Sequence, residues 1–227
     1  MRTFVYVDGF NLYYRMLRNQ PEYKWLDISK LAHQVLAPDN QLLKVRYFTA
    51  RVSARVDQDA PARQQIYLDA LSTSSEIEVH FGKFLVTKTW AGLVPPDLDP
   101  AKIKAKPPFM PWPSVVRVYK TEEKGSDVNL ATHLLHDAFR DQFDVAAVIT
   151  NDSDLTEAIR IVKEEMGKIV GILSPVPKPS TSLTGAASFV RHIREQHLAS
   201  SQFPDEIVLD NGKKTITRPD TWTATVS

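Results

Sequence analysis

Apolar positions along this chain fall into short unbroken runs separated by stretches of helical periodicity, the pattern of a sheet covered by helices on both faces. The plainest run is Val145-Ala146-Ala147-Val148-Ile149. It lacks the polar alternation of a half-exposed strand and so predicts an inner strand of a parallel sheet. The run ends in Thr150-Asn151-Asp152-Ser153-Asp154. Leu155, Ala158, Ile159, Val162 and Met166 then recur at three-and-four spacing until Gly167 stops the predicted helix. Thr3 to Val7 repeats the unit, running into Asp8-Gly9, after which Phe10, Tyr13, Tyr14 and Leu17 share one helical face. Further strands are expected at Leu43 to Ala50, at Glu76 to Val86 (a pair, or one long strand bent at Gly82), at Ser114 to Tyr119 and at Lys168 to Leu173, the last core strand. Helices are expected from an Asp27 cap through Val35, and from about Ala60 to Leu71 with Ile66, Tyr67, Ala70 and Leu71 inward. A third follows the turn Lys120 to Asp127, with Val128, Ala131, Leu134, Leu135, Ala138 and Phe139 as its core stripe, and a fourth runs from about Ala186 to Leu198. Past Pro204, Glu206 to Leu209 and Thr215 to Thr217 flank Asp210-Asn211-Gly212, a hairpin signal. Trp222 either anchors the tail or frays with it.

Alternating strands and helices predict an α/β fold with a mainly parallel central sheet. At 227 residues one domain with an extension is expected, the domain over 1–199 and the extension over 200–227. Between Trp90 and Pro113, seven prolines exclude both helix and central strand, so an excursion from the core is expected at about 90–113. Lys102, Lys104 and Lys106 alternate within it, ahead of Phe109, Met110 and Trp112. Cations beside rings suit single-stranded nucleic acid, the cations meeting phosphate and the rings stacking on bases. A proline-stiffened loop pinned to the core by its aromatics explains the same residues equally well.

Composition removes several classes of function. The chain has no cysteine, which excludes thiolate catalysis, disulfides and cysteine-bound zinc and agrees with a reducing cytoplasm. No run of about 18 apolar residues is present, and the first apolar stretch meets Asp8 too soon for a signal peptide, so no membrane partner is expected. With a formal charge of +1, any affinity for a polyanion must come from local patches.

Open α/β sheets place ligands beyond the carboxyl ends of their strands. Asp8, Asp127, Asp152 and Asp154 all sit where a predicted strand hands over to a helix. Each alone has a plainer reading: Asp8 as a helix cap, Asp127 (or Ser126) as another, Asn11 as a surface amide. Together they argue otherwise, because carboxylates within a few ångströms disfavour joint ionisation and need a cation or raised pKa values. A Mg2+ or Mn2+ ion suits such a site, since hard cations take oxygen ligands and keep waters for a substrate phosphate. Water activated in that setting hydrolyses phosphodiesters. Arg51 or Lys124 would steady the phosphate. Arg51 has the plainer reading of a structural ion pair or a side chain pointing into solvent, and Lys124 that of a balance for Glu122 and Glu123.

The segments Val5-Tyr6-Val7-Asp8-Gly9-Phe10-Asn11-Leu12, Lys124-Gly125-Ser126-Asp127-Val128, Ile149-Thr150-Asn151-Asp152-Ser153-Asp154-Leu155 and Gly167-Lys168-Ile169-Val170 resemble, in order and spacing, the NYN domain family, relatives of the PIN-domain ribonucleases. The resemblance spans roughly Met1 to His197. It implies a PIN-like three-layer α/β/α sandwich and a metal-dependent nuclease acting on RNA, with Asp8, Asp127, Asp152 and Asp154 as the acidic quartet and Asn11 supporting it. Asn151 stands where the family often has glycine, and the excursion at 90–113 lies outside the shared core. The expected partner is single-stranded RNA, with a homodimer left open. Two other classes stay in view. A binding module without turnover would keep the fold, although four carboxylates at the contact surface would oppose a polyanion. An oxidoreductase would need a dinucleotide site, and no G-x-G-x-x-G follows the first strand.

Overall fold

The computed structural model describes residues 1–54, 57–93, 113–209 and 212–223. Six parallel strands form one sheet: β1 (Arg2–Asp8), β2 (Gln41–Thr49), β3 (Ile77–Phe81), β6 (Val145–Ile149), β7 (Ile169–Ser174) and β8 (Phe189–His192), in the order β3-β2-β1-β6-β7-β8. β4 (Lys83–Gly92) and β5 (Val115–Lys124) form a separate antiparallel ribbon, and β9 (Glu206–Leu209) with β10 (Lys214–Thr217) a second one near the carboxyl terminus.

Alternation along the strands divides the core into two layers. Val5, Val7, Ala147 and Ile149 face one side, under α1 (Gly9–Leu12), α2 (Ile28–Val35), α3 (Ala60–Leu71) and α7 (Glu195–Ser200). Phe4, Tyr6, Ala146 and Val148 face the other, under α4 (Ser126–Phe139), α5 (Thr156–Arg160) and α6 (Thr181–Ala186). All five residues of β6 are buried, as an inner strand requires. Asp27 caps α2 by accepting the Lys30 N–H at 3.0 Å. The carboxyl-terminal ribbon packs back on the first layer, where Trp222 meets Trp25 at 6.2 Å and Tyr67 at 6.0 Å and so anchors the tail.

Six expectations need correction. The segment expected as one helix from Ala186 to Leu198 splits into α6, β8 and α7. β8 pairs in parallel with β7, and the Phe189 ring lies where a side chain at residue 171 would stand, 2.0 Å from a Cβ placed on Gly171. That close fit outweighs the local helical pattern, and β7 is not the last strand.

The buried face of α4 runs through Ser126, Leu130, Leu134, Asp137 and Ala138, whereas Val128 and Phe139 are 69% and 78% exposed. A stripe about 100° wide cannot hold both sets, and Asp137 enters the core because Arg46 and Tyr6 bind it. The first helix changes phase: Tyr13–Leu17 is a π-helical turn closed by Arg18 N–H to the Tyr13 carbonyl at 2.8 Å. Leu12 and Leu17 are therefore its buried pair, and Tyr13 and Tyr14 point outward. Neither Ser126 nor Asp127 caps α4; Gly125, at φ 96°, occupies that position.

The turn expected at Lys120 to Lys124 is strand, since β5 pairs with β4 from Val115↔Gly92 to Lys124↔Lys83, which also carries β4 into the start of the proline-rich segment. A two-stranded ribbon has no obligatory apolar face, so its polar residues give no alternation to read. Glu76 to Val86 is the strand-pair alternative, divided at Gly82.

Candidate active site

β1 and β6 are adjacent and in register through Val7↔Ile149, so Asp8 and Thr150 emerge side by side at the carboxyl edge of the sheet. Both are buried, Thr150 fully and Asp8 to 4% exposure. The Thr150 hydroxyl donates to Asp8 Oδ2 at 3.1 Å and accepts the Asp152 N–H at 3.0 Å, using one oxygen to fix two acidic residues. Asp8 Oδ1 accepts the Asn11 N–H at 2.8 Å, so Asp8 is also the cap of α1. The helix-cap reading and the site reading are realised by the same carboxylate.

Asn11 and Asn151 extend the network. The Asn11 carboxamide oxygen accepts the Asn151 N–H at 3.2 Å, and the Asn151 oxygen accepts the Ser180 N–H at 2.8 Å. Asp152 Oδ1 accepts the Asp154 N–H at 3.0 Å, opening the 3-10 turn Ser153–Leu155. Among the described residues only Asp141 combines a side chain with positive φ. The turn at Asn151 therefore does not demand glycine, and asparagine there ties the β6 edge to the segment after β7.

Three of the four aspartates thus lie on one connected edge. Asp8 and Asp152 are joined through Thr150, and Asp154 follows with its side chain exposed. Asp127 lies in the first turn of α4, the helix that packs over β1 and against the Ser153–Leu155 turn. Among the described residues, no group of three or more His, Asp or Glu side chains converges closely enough to hold a metal ion. The donor set nevertheless has the hard-oxygen chemistry that Mg2+ and Mn2+ prefer. Those ions bind through as few as one or two carboxylates and take their other positions from water and substrate oxygens, and Asp8 and Asp152 supply carboxylate oxygens of that kind at the sheet edge. Burial, and behind it the charge of Asp8, pushes the Tyr47 phenol up and keeps it neutral beside the edge.

The expected phosphate ligands divide. Arg51, past the end of β2, stacks on Phe81 at 4.6 Å and bonds the Gln65 side chain. Lys124 closes the β4–β5 ribbon immediately before Gly125 and α4. Lys102, Lys104, Lys106 and Trp112 lie outside the described residues.

The reading of acids alone missed Thr150 and Asn151. Their signal was available: a hydroxyl and a carboxamide between an apolar run and the first carboxylate, where main-chain groups leave the sheet and need partners. It also missed a buried polar network on the α4 face. Arg46 binds Asp137 at 2.6 and 3.0 Å and Glu78 at 2.8 Å, Tyr6 donates to Asp137 at 2.8 Å, and the His80 ring lies tilted against that of His133 with centroids 4.1 Å apart. Burial, then the neighbouring His133, pushes His80 down to about 4.

Residues 2–194 match the NYN domain family. The chain is 32% identical to 6-hydroxy-3-succinoylpyridine 3-monooxygenase HspA of Pseudomonas putida (strain DSM 28022 / S16), with 98% of this chain and 75% of that protein covered. A solved structure of a protein of unknown function, VPA0982 from Vibrio parahaemolyticus RIMD 2210633, is similar at a TM-score of 0.51 and 14% identity, covering 86% of this chain and 93% of that one, and this likeness speaks to the fold alone. No helix among the described residues is long and apolar enough to cross a membrane. With the match running from β1 through β8 and enclosing the whole acidic edge, this chain belongs to the NYN domain family.

Proposed function

We propose that this protein is a metal-dependent ribonuclease whose acidic edge, between β1 and β6, hydrolyses phosphodiester bonds. The observation that carries the reading is the shared hydroxyl: Thr150 holds the Asp8 carboxylate and the Asp152 backbone together at the sheet edge. Asp152 and Asp154 have no Lys or Arg ion-pair partner among the described residues, so their charge is available to a cation. Family membership favours the same chemistry. A Mg2+ or Mn2+ ion bound there would supply an activated water and offset the charge that builds on the phosphate. Asp8 and Asp152 would hold that ion, and Asn11 would keep the Asn151 turn, and hence Asp152, in place. Asp154 and Asp127 would orient the attacking water or a second ion from the rim. The test is cleavage of a mixed RNA pool in Mn2+ by the native chain and by Asp152→Asn. Loss of products in the variant supports the reading, and equal cleavage by both overturns it.

A second reading rests on the Pseudomonas relative, whose name is that of a monooxygenase acting on a hydroxypyridine. On that reading the same edge would bind 6-hydroxy-3-succinoylpyridine. The first turn opposes it, since Asp8-Gly9-Phe10-Asn11 stands where a dinucleotide-binding sheet carries its glycine-rich loop. Oxygen uptake that depends on that pyridine and a reduced nicotinamide, with RNA left intact, would reverse the ranking.

A further inference from the structure

A cavity of about 630 Å³ opens between the π-helical turn that continues α1 and the carboxyl ends of β7 and β8. We propose that it is a binding site for one nucleotide of single-stranded RNA, taken by its base and its phosphate together. The proposal rests on the ribonuclease reading for the class of ligand, while its physical basis is separate. The volume falls within the range of small-ligand sites, about 300–1,000 Å³.

The cavity's charge is one-sided. Arg15, Arg18 and Arg194 line it, all exposed, and none has a carboxylate ion-pair partner among the described residues. The acid in the wall, Glu195, accepts the Tyr23 hydroxyl at 2.9 Å. Three guanidiniums around one opening repel one another until an anion enters. The planar fork of each matches the paired oxygens of a phosphodiester.

The same wall carries rings. Tyr14 is 55% exposed, stacks with Phe10 at 6.3 Å and an interplanar angle of 18°, and has the Arg18 guanidinium 5.6 Å from its ring centroid. Exposed aromatic surface flanked by cations is the arrangement on which unpaired bases stack. The π-helical turn produces it, since burying Leu12 and Leu17 as a pair leaves the tyrosines between them outside.

The cavity and the acidic edge are linked along the chain at two places. Asn11 lies one turn before Tyr14 on the same helix. Asn151, which Asn11 holds, also accepts the Ser180 N–H, and the stretch leading to Ser180 begins with the cavity residues Pro175 to Pro177.

The test is fluorescence anisotropy of a labelled single-stranded RNA of mixed sequence, titrated with the full chain in EDTA so that no cleavage intervenes. Tyr14→Ala should weaken binding at least about five-fold. Arg15→Ala combined with Arg194→Ala should weaken it about ten-fold or more and flatten the salt dependence by roughly 1.4 in log–log slope, the loss of two phosphate contacts. Arg140→Ala, which removes a charge at the C-terminal end of α4, away from the cavity lining, should leave binding unchanged. Equal binding by the native chain and the cavity variants overturns the proposal, as does native binding weaker than about 100 µM at low salt. Failure here with cleavage intact leaves the ribonuclease reading standing. Cavity-dependent binding without cleavage removes the ribonuclease reading and keeps the site.

Discussion

Replacing Thr150 with valine keeps the shape of the side chain and removes its oxygen. The hydroxyl is fully buried and makes two bonds, donating to the Asp8 carboxylate and accepting the Asp152 N–H. A hydrogen bond to a charged group contributes about 1.5–3 kcal/mol and a neutral one about 0.5–1.5. The part-buried Asp152 N–H can recover a bond to water, which trims the second figure, so the expected cost is about 3 kcal/mol. For a chain of this size that is a fall of roughly 6–12 °C in Tm. Thr150→Ser keeps the oxygen and loses only a methyl, so it should fall by about a third as much. Calorimetry of native protein, Thr150→Val and Thr150→Ser, each with and without Mn2+, separates structure from function. The valine variant should also lose most of any Mn2+-induced rise in Tm, because Asp152 is no longer fixed relative to Asp8. A Tm within about 2 °C of native for Thr150→Val, with the Mn2+ response retained, would refute the claim that this hydroxyl organises the edge.

Other consequences follow from the packing around the edge. A Cβ at Gly9 would stand 2.7 Å from the Phe48 carbonyl oxygen and 2.8 Å from the Tyr47 ring, so Gly9→Ala should cost about 1–3 kcal/mol in urea unfolding and weaken RNA cleavage by displacing the Asp8 cap; unchanged stability would contradict that close approach. His80, whose side chain is 16% exposed, titrates near 4 in the fold against 6.5 when free, so the unfolded chain binds the extra proton between these values. Stability should therefore decline as pH falls from about 6.5 to 4, by about 1–2 kcal/mol once solvent screening is allowed for, and His80→Phe should flatten that decline in melts taken across the window. Asp137→Leu leaves the Arg46 charge, 10% exposed, without its main partner and should cost about 3 kcal/mol. The double variant Arg46→Met with Asp137→Leu should recover most of the loss, and equal instability of single and double variants would count against a coupled pair.

The inner strands were legible because their signal is local. An unbroken apolar run such as Val145 to Ile149 has no polar face to expose, so it must lie between two layers, and whatever follows it must emerge at the sheet edge. The same holds for Thr3 to Val7, and it is why Asp8, Asp152 and Asp154 were recognisable as edge residues. The Asp27 cap and the stop at Gly167 belong to this class too, since capping energy involves residues within one turn. Phe189 to His192 is the counter-example. Its sequence suits a helix, and it becomes strand only because β7 offers an open edge and Gly171 leaves room for the Phe189 ring.

The site divides along the same line. Residue types and spacing were enough to place acids at the carboxyl edge of a parallel sheet, because alternation and strand ends are properties of a short window. They could not show that Thr150 bonds Asp8, 142 residues away, that Arg46 admits Asp137 to the core, or that a π-helical turn moves Tyr14 out of the core and into the wall of a basic cavity. Those features depend on register and on which distant side chains share a space, and their energies do not exist until the chain has closed on itself.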